Sequence, residues 1–169
     1  MKISTRQLAL CAVLTALALG LSTLENLFPV TLVIPLPGVK LGLANIVTVF
    51  ALYQLGAGAA LAILLTRCLL GGLFAGNLSA MLFSVLGGLT AMLVMIFLRR
   101  LPKLSVYGVS IGGAAAHNIG QMAAAVITLG STMVLGYLPF LLAVSLFTGA
   151  LTGFITALLL RATRHIRFH

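Results

Sequence analysis

Apolar runs of about one bilayer thickness follow one another along this chain with only short polar punctuation, a pattern that restricts the fold more than any other feature. Hydrophobic residues make up 62% of the sequence and charged residues 7%, with a mean hydropathy of +1.25. That leaves too little polar surface for a water-soluble globule. A span needs roughly 20 largely apolar residues, so beside its loops the chain has room for about six. The expectation is one all-α integral membrane domain over residues 1–169, a six-helix bundle without a separate soluble domain.

The first span is expected over residues 7–27, too long for a signal-peptide core and without a convincing cleavage site. Residues 29–40 form the longest irregular connection, where Pro35 and Pro37 remove backbone donors and disfavour helix just before them. A short second span covers 41–53, and Gly56-Ala57-Gly58 turns the chain into a third that ends near residue 74. A turn over 75–79 leads to a fourth span at 80–98, and the basic linker 99–103 to a fifth at 105–129. The sixth runs over 138–160.

Lysine and arginine collect on the cytoplasmic side of short loops. Lys2, Arg6, Arg99, Arg100, Lys103, Arg161, Arg164 and Arg167 occupy the amino terminus, the fourth connection and the carboxyl terminus. Six spans put all three segments on one side, whereas five or seven would split them. Both termini are therefore expected in the cytoplasm, in a multi-pass protein of a bacterial-type inner membrane. The net charge of +9 is explained by topology and by anionic lipid, and calls for no nucleic acid partner. Cys11 and Cys68 lie inside apolar runs without CxxC or Cys/His spacing, so they read as packing residues and no metal site is expected.

Three charged residues escape the basic segments: Glu25, Lys40 and Arg67. In the six-span arrangement all three approach the outer face. Arg67 lies about ten residues into its span, where an arginine costs roughly 2.5–3.5 kcal/mol and needs a partner. One reading is a buried Glu25–Arg67 pair that fixes helix packing. The other is that Arg67, with Lys40, binds an anionic group on a ligand, and the two are compatible. Asn45 sits one turn inside the second span, beyond Lys40. In the fifth span His117 and Gln121 share a helix face, with Asn118 beside them among small residues that let a helix or ligand approach. Asn77, Ser79 and Ser84 are weaker candidates, since turns favour such residues. Ala9, Ala12, Ala16 and Gly20 make a small-residue stripe on the first helix, read either as internal packing or as a docking face.

KLGLANI at 40–46, the stretch 67–88 with its GN and SVLGG segments, and GVSIGGAAAHNIGQ at 108–121 resemble the Gx transporter family, which also goes under the description heptaprenyl diphosphate synthase component I. The similarity spans nearly the whole chain. That family resembles the substrate-binding S components of energy-coupling-factor vitamin transporters, with six helices, cytoplasmic termini and a long first loop capping an outward-facing pocket. The resemblance implies that an alanine-rich face of the first helix, here Ala12 and Ala16, docks on an energising membrane partner that works with ATPase subunits. It also implies flavin as a substrate class, in connection with flavin supply for extracytoplasmic flavinylation.

A prenyl diphosphate synthase holds diphosphate through magnesium on clustered aspartates. This chain has no aspartate and one glutamate, and it has no P-loop. It is expected not to be an enzyme by itself and to carry no catalytic cofactor. Transport would be driven by a partner, by a gradient or by trapping of the product. The expectation is a transporter or solute-binding subunit for a flavin-like molecule such as riboflavin, FMN or FAD. Lys40 and Arg67 would pair the phosphate, Asn45, Asn118 and Gln121 would meet the ring edge or ribityl hydroxyls, and His117 would donate to phosphate or stack. Phe28, Phe74 and Tyr137 are possible stacking partners. The alternatives are a membrane component that recruits a soluble prenyl synthase through the basic face, and a transporter of another anionic vitamin or a prenyl phosphate.

Overall fold

The computed structural model describes residues 5–27 and 42–165. These form six α-helices: α1 (Thr5–Leu27), α2 (Leu43–Gln54), α3 (Ala57–Ala75), α4 (Leu78–Arg99), α5 (Val106–Leu129) and α6 (Leu138–Ala162). A 3-10 helix over Thr132–Tyr137 leads directly into α6, where the sequence pattern had suggested only a connection. No strand occurs among the described residues.

Local chemistry sets the helix ends. The Asn77 side chain accepts a hydrogen bond from Ala80 N at 3.0 Å and caps α4, while Ser105 accepts from Gly108 N at 3.4 Å and caps α5. Gly76 and Gly130 close α3 and α5 at φ +59° and +64°, a backbone conformation that a side chain disfavours.

Helices α2 to α6 close a ring in which each packs on the next and α6 returns to α2, with α1 lying against α2 and α3. The closest approach is between α4 and α5. A Cβ at Gly120 would lie 2.6 Å from Leu86 O and 2.9 Å from Gly87 Cα, so the two backbones touch there. On another face of α5, a Cβ at Gly149 of α6 would stand 2.6 Å from Ile111 Cα.

Among the described residues, four segments are long and apolar enough to cross a membrane: Thr5–Glu25, Ala57–Ala75, Leu78–Arg99 and Thr132–Ala162. Helix α2 has 12 residues and is about 18 Å long, short of the ~30 Å hydrocarbon core. Helix α5 has the length, 24 residues, but its Gly, Ala, His, Asn and Gln content makes it the less apolar wall of the bundle.

The two ends of the bundle differ. At the end carrying Arg99 and Arg161, Val49, Leu52, Ile63, Leu64, Met92 and Val109 form a core exposed by 1% or less. Polar ties close this end. Arg99 donates to the Leu52 carbonyl and lies 5.0 Å from the Tyr53 ring, and Gln54 Nε2 donates to Thr163 Oγ1 at 3.3 Å. At the far end, where α1, α3 and α5 finish and α4 and α6 begin, the same helices part around open space.

Candidate functional site

Arg67 is the buried cation of this space, 8% exposed and one turn beyond the sealed core on α3. Its Nη2 donates to Asn45 Oδ1 at 3.3 Å, and its Nε is buried without a hydrogen-bond partner. A buried guanidinium with a donor left over is expensive unless something else meets it.

The Glu25–Arg67 pair is not formed. Glu25 is equally buried, but its Oε1 accepts from Gly42 N at 2.6 Å, and no ion pair joins it to Arg67 among the described residues. The physical reason lies in α2. Gly42 holds φ +78°, turns the chain into that helix and accepts from Asn45 N at 2.8 Å. A carboxylate at this positive helix end is stabilised by the backbone dipoles and by a charge-assisted bond. Glu25 therefore anchors the start of α2, and Arg67 keeps only its bond to Asn45.

Two cavities meet at Arg67. The inner one, about 60 Å³, is walled by Glu25, Asn45, Arg67, His117, Asn118 and Gln121, with Ser110, Thr148 and Thr152 beneath. The outer one, about 650 Å³, is lined mainly by apolar side chains including Leu19, Phe74, Phe83, Met122, Tyr137 and Leu141. Ser22, Arg67, Ser84 and Gln121 border both. The outer volume falls within the ~300–1,000 Å³ typical of small-molecule sites.

The polar wall is positioned by backbone contacts. Asn118 Nδ2 donates to Leu141 O at 2.8 Å, which ties α5 to α6. Ser110 and Thr152 share a 2.7 Å hydrogen bond between the same two helices. His117 and Gln121 lie on Gly87 of α4, where an added Cβ would approach His117 Cε1 and Gln121 Cγ to 2.9 Å. Only glycine provides that shelf without a clash.

Of the residues expected at the site, Glu25, Asn45, Arg67, His117, Asn118 and Gln121 converge on the inner cavity, and Ser84 borders it. Asn77 does not line either cavity: it is exposed and its side chain is engaged as the α4 cap. Ser79 is likewise exposed and outside both linings. Phe74 and Tyr137 line the outer cavity, while Lys40 and Phe28 lie outside the described residues. Sequence reasoning missed Ser22, Gly42, Gly87, Ser110, Thr148 and Thr152. Single hydroxyls and glycines in apolar helices carry little signal until the partner helix is known.

Ala9, Ala12, Ala16 and Gly20 are all exposed, and nothing approaches within 4 Å of a Cβ built at Gly20. Among the described residues, then, the stripe carries little packing within the chain.

The fold is that of a multi-pass helical membrane protein with two cavities between its helices. Residues 14–159 match the family described as heptaprenyl diphosphate synthase component I, and the chain belongs to that family of Gx-transporter, S-component-like proteins. No curated protein and no solved structure matches the chain.

Proposed function

We propose that the protein is a transporter, or the solute-binding subunit of one, for a flavin-like molecule bearing an anionic group. The observation that carries this reading is Arg67: buried, shared by a polar and an apolar cavity, and committed among the described residues only to Asn45. A cation so placed suits an amphiphilic anion that brings its own counter-charge into a low-dielectric site. Flavins fit because one molecule combines a flat tricyclic ring, a polyhydroxyl chain and, in FMN and FAD, phosphate. Family membership supports a transport role, and the six-span arrangement with cytoplasmic termini would make the far end the outer face. The exposed stripe containing Ala12 and Ala16 would then be the docking face for an energising membrane partner with its ATPase subunits.

Titration of the detergent-purified protein into riboflavin, FMN and FAD, followed by flavin fluorescence, tests the reading. Saturable one-to-one binding supports it. The absence of binding to all three contradicts it.

A second reading is favoured by the family description and by the exposed cations Arg100, Lys103, Arg161 and Arg164, grouped in segments that share one end of the bundle. It makes the chain a membrane partner of a soluble prenyl diphosphate synthase. Neutralising those four residues would abolish a pull-down of the synthase under this reading and leave flavin binding intact under the first.

A further inference from the structure

The sizes and linings of the two cavities say more about the ligand than its class. We infer that the site selects an amphiphile with a single terminal phosphate monoester, bound with the phosphate inward at Arg67 and the apolar or ring portion outward in the larger cavity. This inference rests on the proposed transport site and adds its orientation and its choice among ligands.

Three observations carry it. The inner cavity, at about 60 Å³, is about a tenth the size of the outer one, which favours a small polar group there over a tricyclic ring or a nucleotide. Its walls supply donors a phosphate needs: the Arg67 guanidinium, with the Gln121 amide and the Ser84 hydroxyl lining the same space. The Glu25 carboxylate, which would repel an anion, is engaged by Gly42 N at the start of α2, whose positive end partly offsets its charge. The outer cavity has the opposite character. Phe83, Met122, Tyr137 and Leu141 offer flat and apolar surface, and Arg67 stands at the passage between the two. Gly87 makes room for two of the inner walls, since a Cβ there would come within 2.9 Å of His117 Cε1 and Gln121 Cγ.

A dinucleotide such as FAD fits this geometry poorly. Its phosphates are internal, so placing them at Arg67 would force either the adenosine or the ring into the inner cavity. Riboflavin fits the outer cavity but leaves the guanidinium without its counter-charge.

Affinities of riboflavin, FMN, FAD and a short-chain prenyl monophosphate are measured on the full chain in nanodiscs, for the wild type and for Arg67→Gln and Arg67→Lys. The expected result is FMN binding about 10- to 100-fold tighter than riboflavin and FAD, the range of a charge-assisted hydrogen bond. Arg67→Gln should erase that preference, and an elution profile and thermal denaturation temperature like those of the wild type show that the variant is folded. Arg67→Lys should retain part of it. Riboflavin or FAD binding as well as FMN would overturn the monoester inference and leave the flavin reading standing. Prenyl monophosphate binding that depends on Arg67, with no flavin bound, would overturn the flavin reading and sustain the inference. No Arg67-dependent preference for any monophosphate would overturn the inference outright.

Discussion

The two ends of this bundle are built from the same helices by opposite rules. At the basic end, large aliphatic side chains of α2, α3, α4 and α5 fill the interior, and Arg99 and Gln54 tie the helix ends together. Beyond it lie cavities of about 60 and 650 Å³, the inner one walled largely by polar residues with Val49, Ala91 and Met95 of the core also lining it, the outer one mainly apolar, and Arg67 is buried where they meet. In lipid, helix association draws on packing and hydrogen bonds rather than on release of water. A sealed half can therefore hold the bundle together while the other half stays open enough to admit a solute. On the proposed reading, stability and recognition are separated along the bundle axis.

The separation is broken most directly by truncating one large side chain at each end. Leu64→Ala, in the sealed core at 1% exposure, should cost about 2–5 kcal/mol, read as a large fall in thermal denaturation temperature. Phe74→Ala, on the outer cavity at 76% exposure, should change stability by about 0.5 kcal/mol or less while weakening ligand binding. Equal losses at both sites would mean that the far end also holds the fold.

Gly87→Ala comes next, because it acts on both properties at once. The added methyl displaces His117 and Gln121, so we expect an overpacking cost of about 1–3 kcal/mol and loss of ligand binding in the same preparation. Arg99→Met removes the donor to Leu52 O and should cost about 1–2 kcal/mol without touching affinity, since the contact lies at the sealed end. The smallest effect on the isolated chain is expected for Ala16→Leu on the exposed stripe. Stability and affinity should both stay within about 0.5 kcal/mol, while co-purification with an energising membrane partner is lost.

The sequence carried the helices well and their contacts poorly. Helices α3 to α6 begin and end within a few residues of the apolar runs, because Asn77, Ser105, Gly76 and Gly130 punctuate the chain with readable caps. The convergence of Asn45, Arg67, His117, Asn118 and Gln121 was legible, since polar residues in apolar helices stand out. The partner of Glu25 was not. Opposite charges suggested Arg67, whereas the backbone N–H of Gly42 wins by lying at the start of α2, a contact 17 residues away in the chain that no local pattern announces. Gly87, Ser110 and Thr152 were invisible for a related reason: each matters only through the neighbouring helix, and that neighbour is fixed by the ring closure from α2 to α6. The 3-10 helix before α6 blends into an apolar run and offers no distinct period to read.

The most direct test of the account is the native mass and absorption spectrum of the protein purified gently from its own membrane. A yellow preparation is expected, with about one flavin per chain, its mass that of FMN, and loss of the chromophore in Arg67→Gln at unchanged yield. A colourless protein that also ignores added riboflavin, FMN and FAD would contradict it.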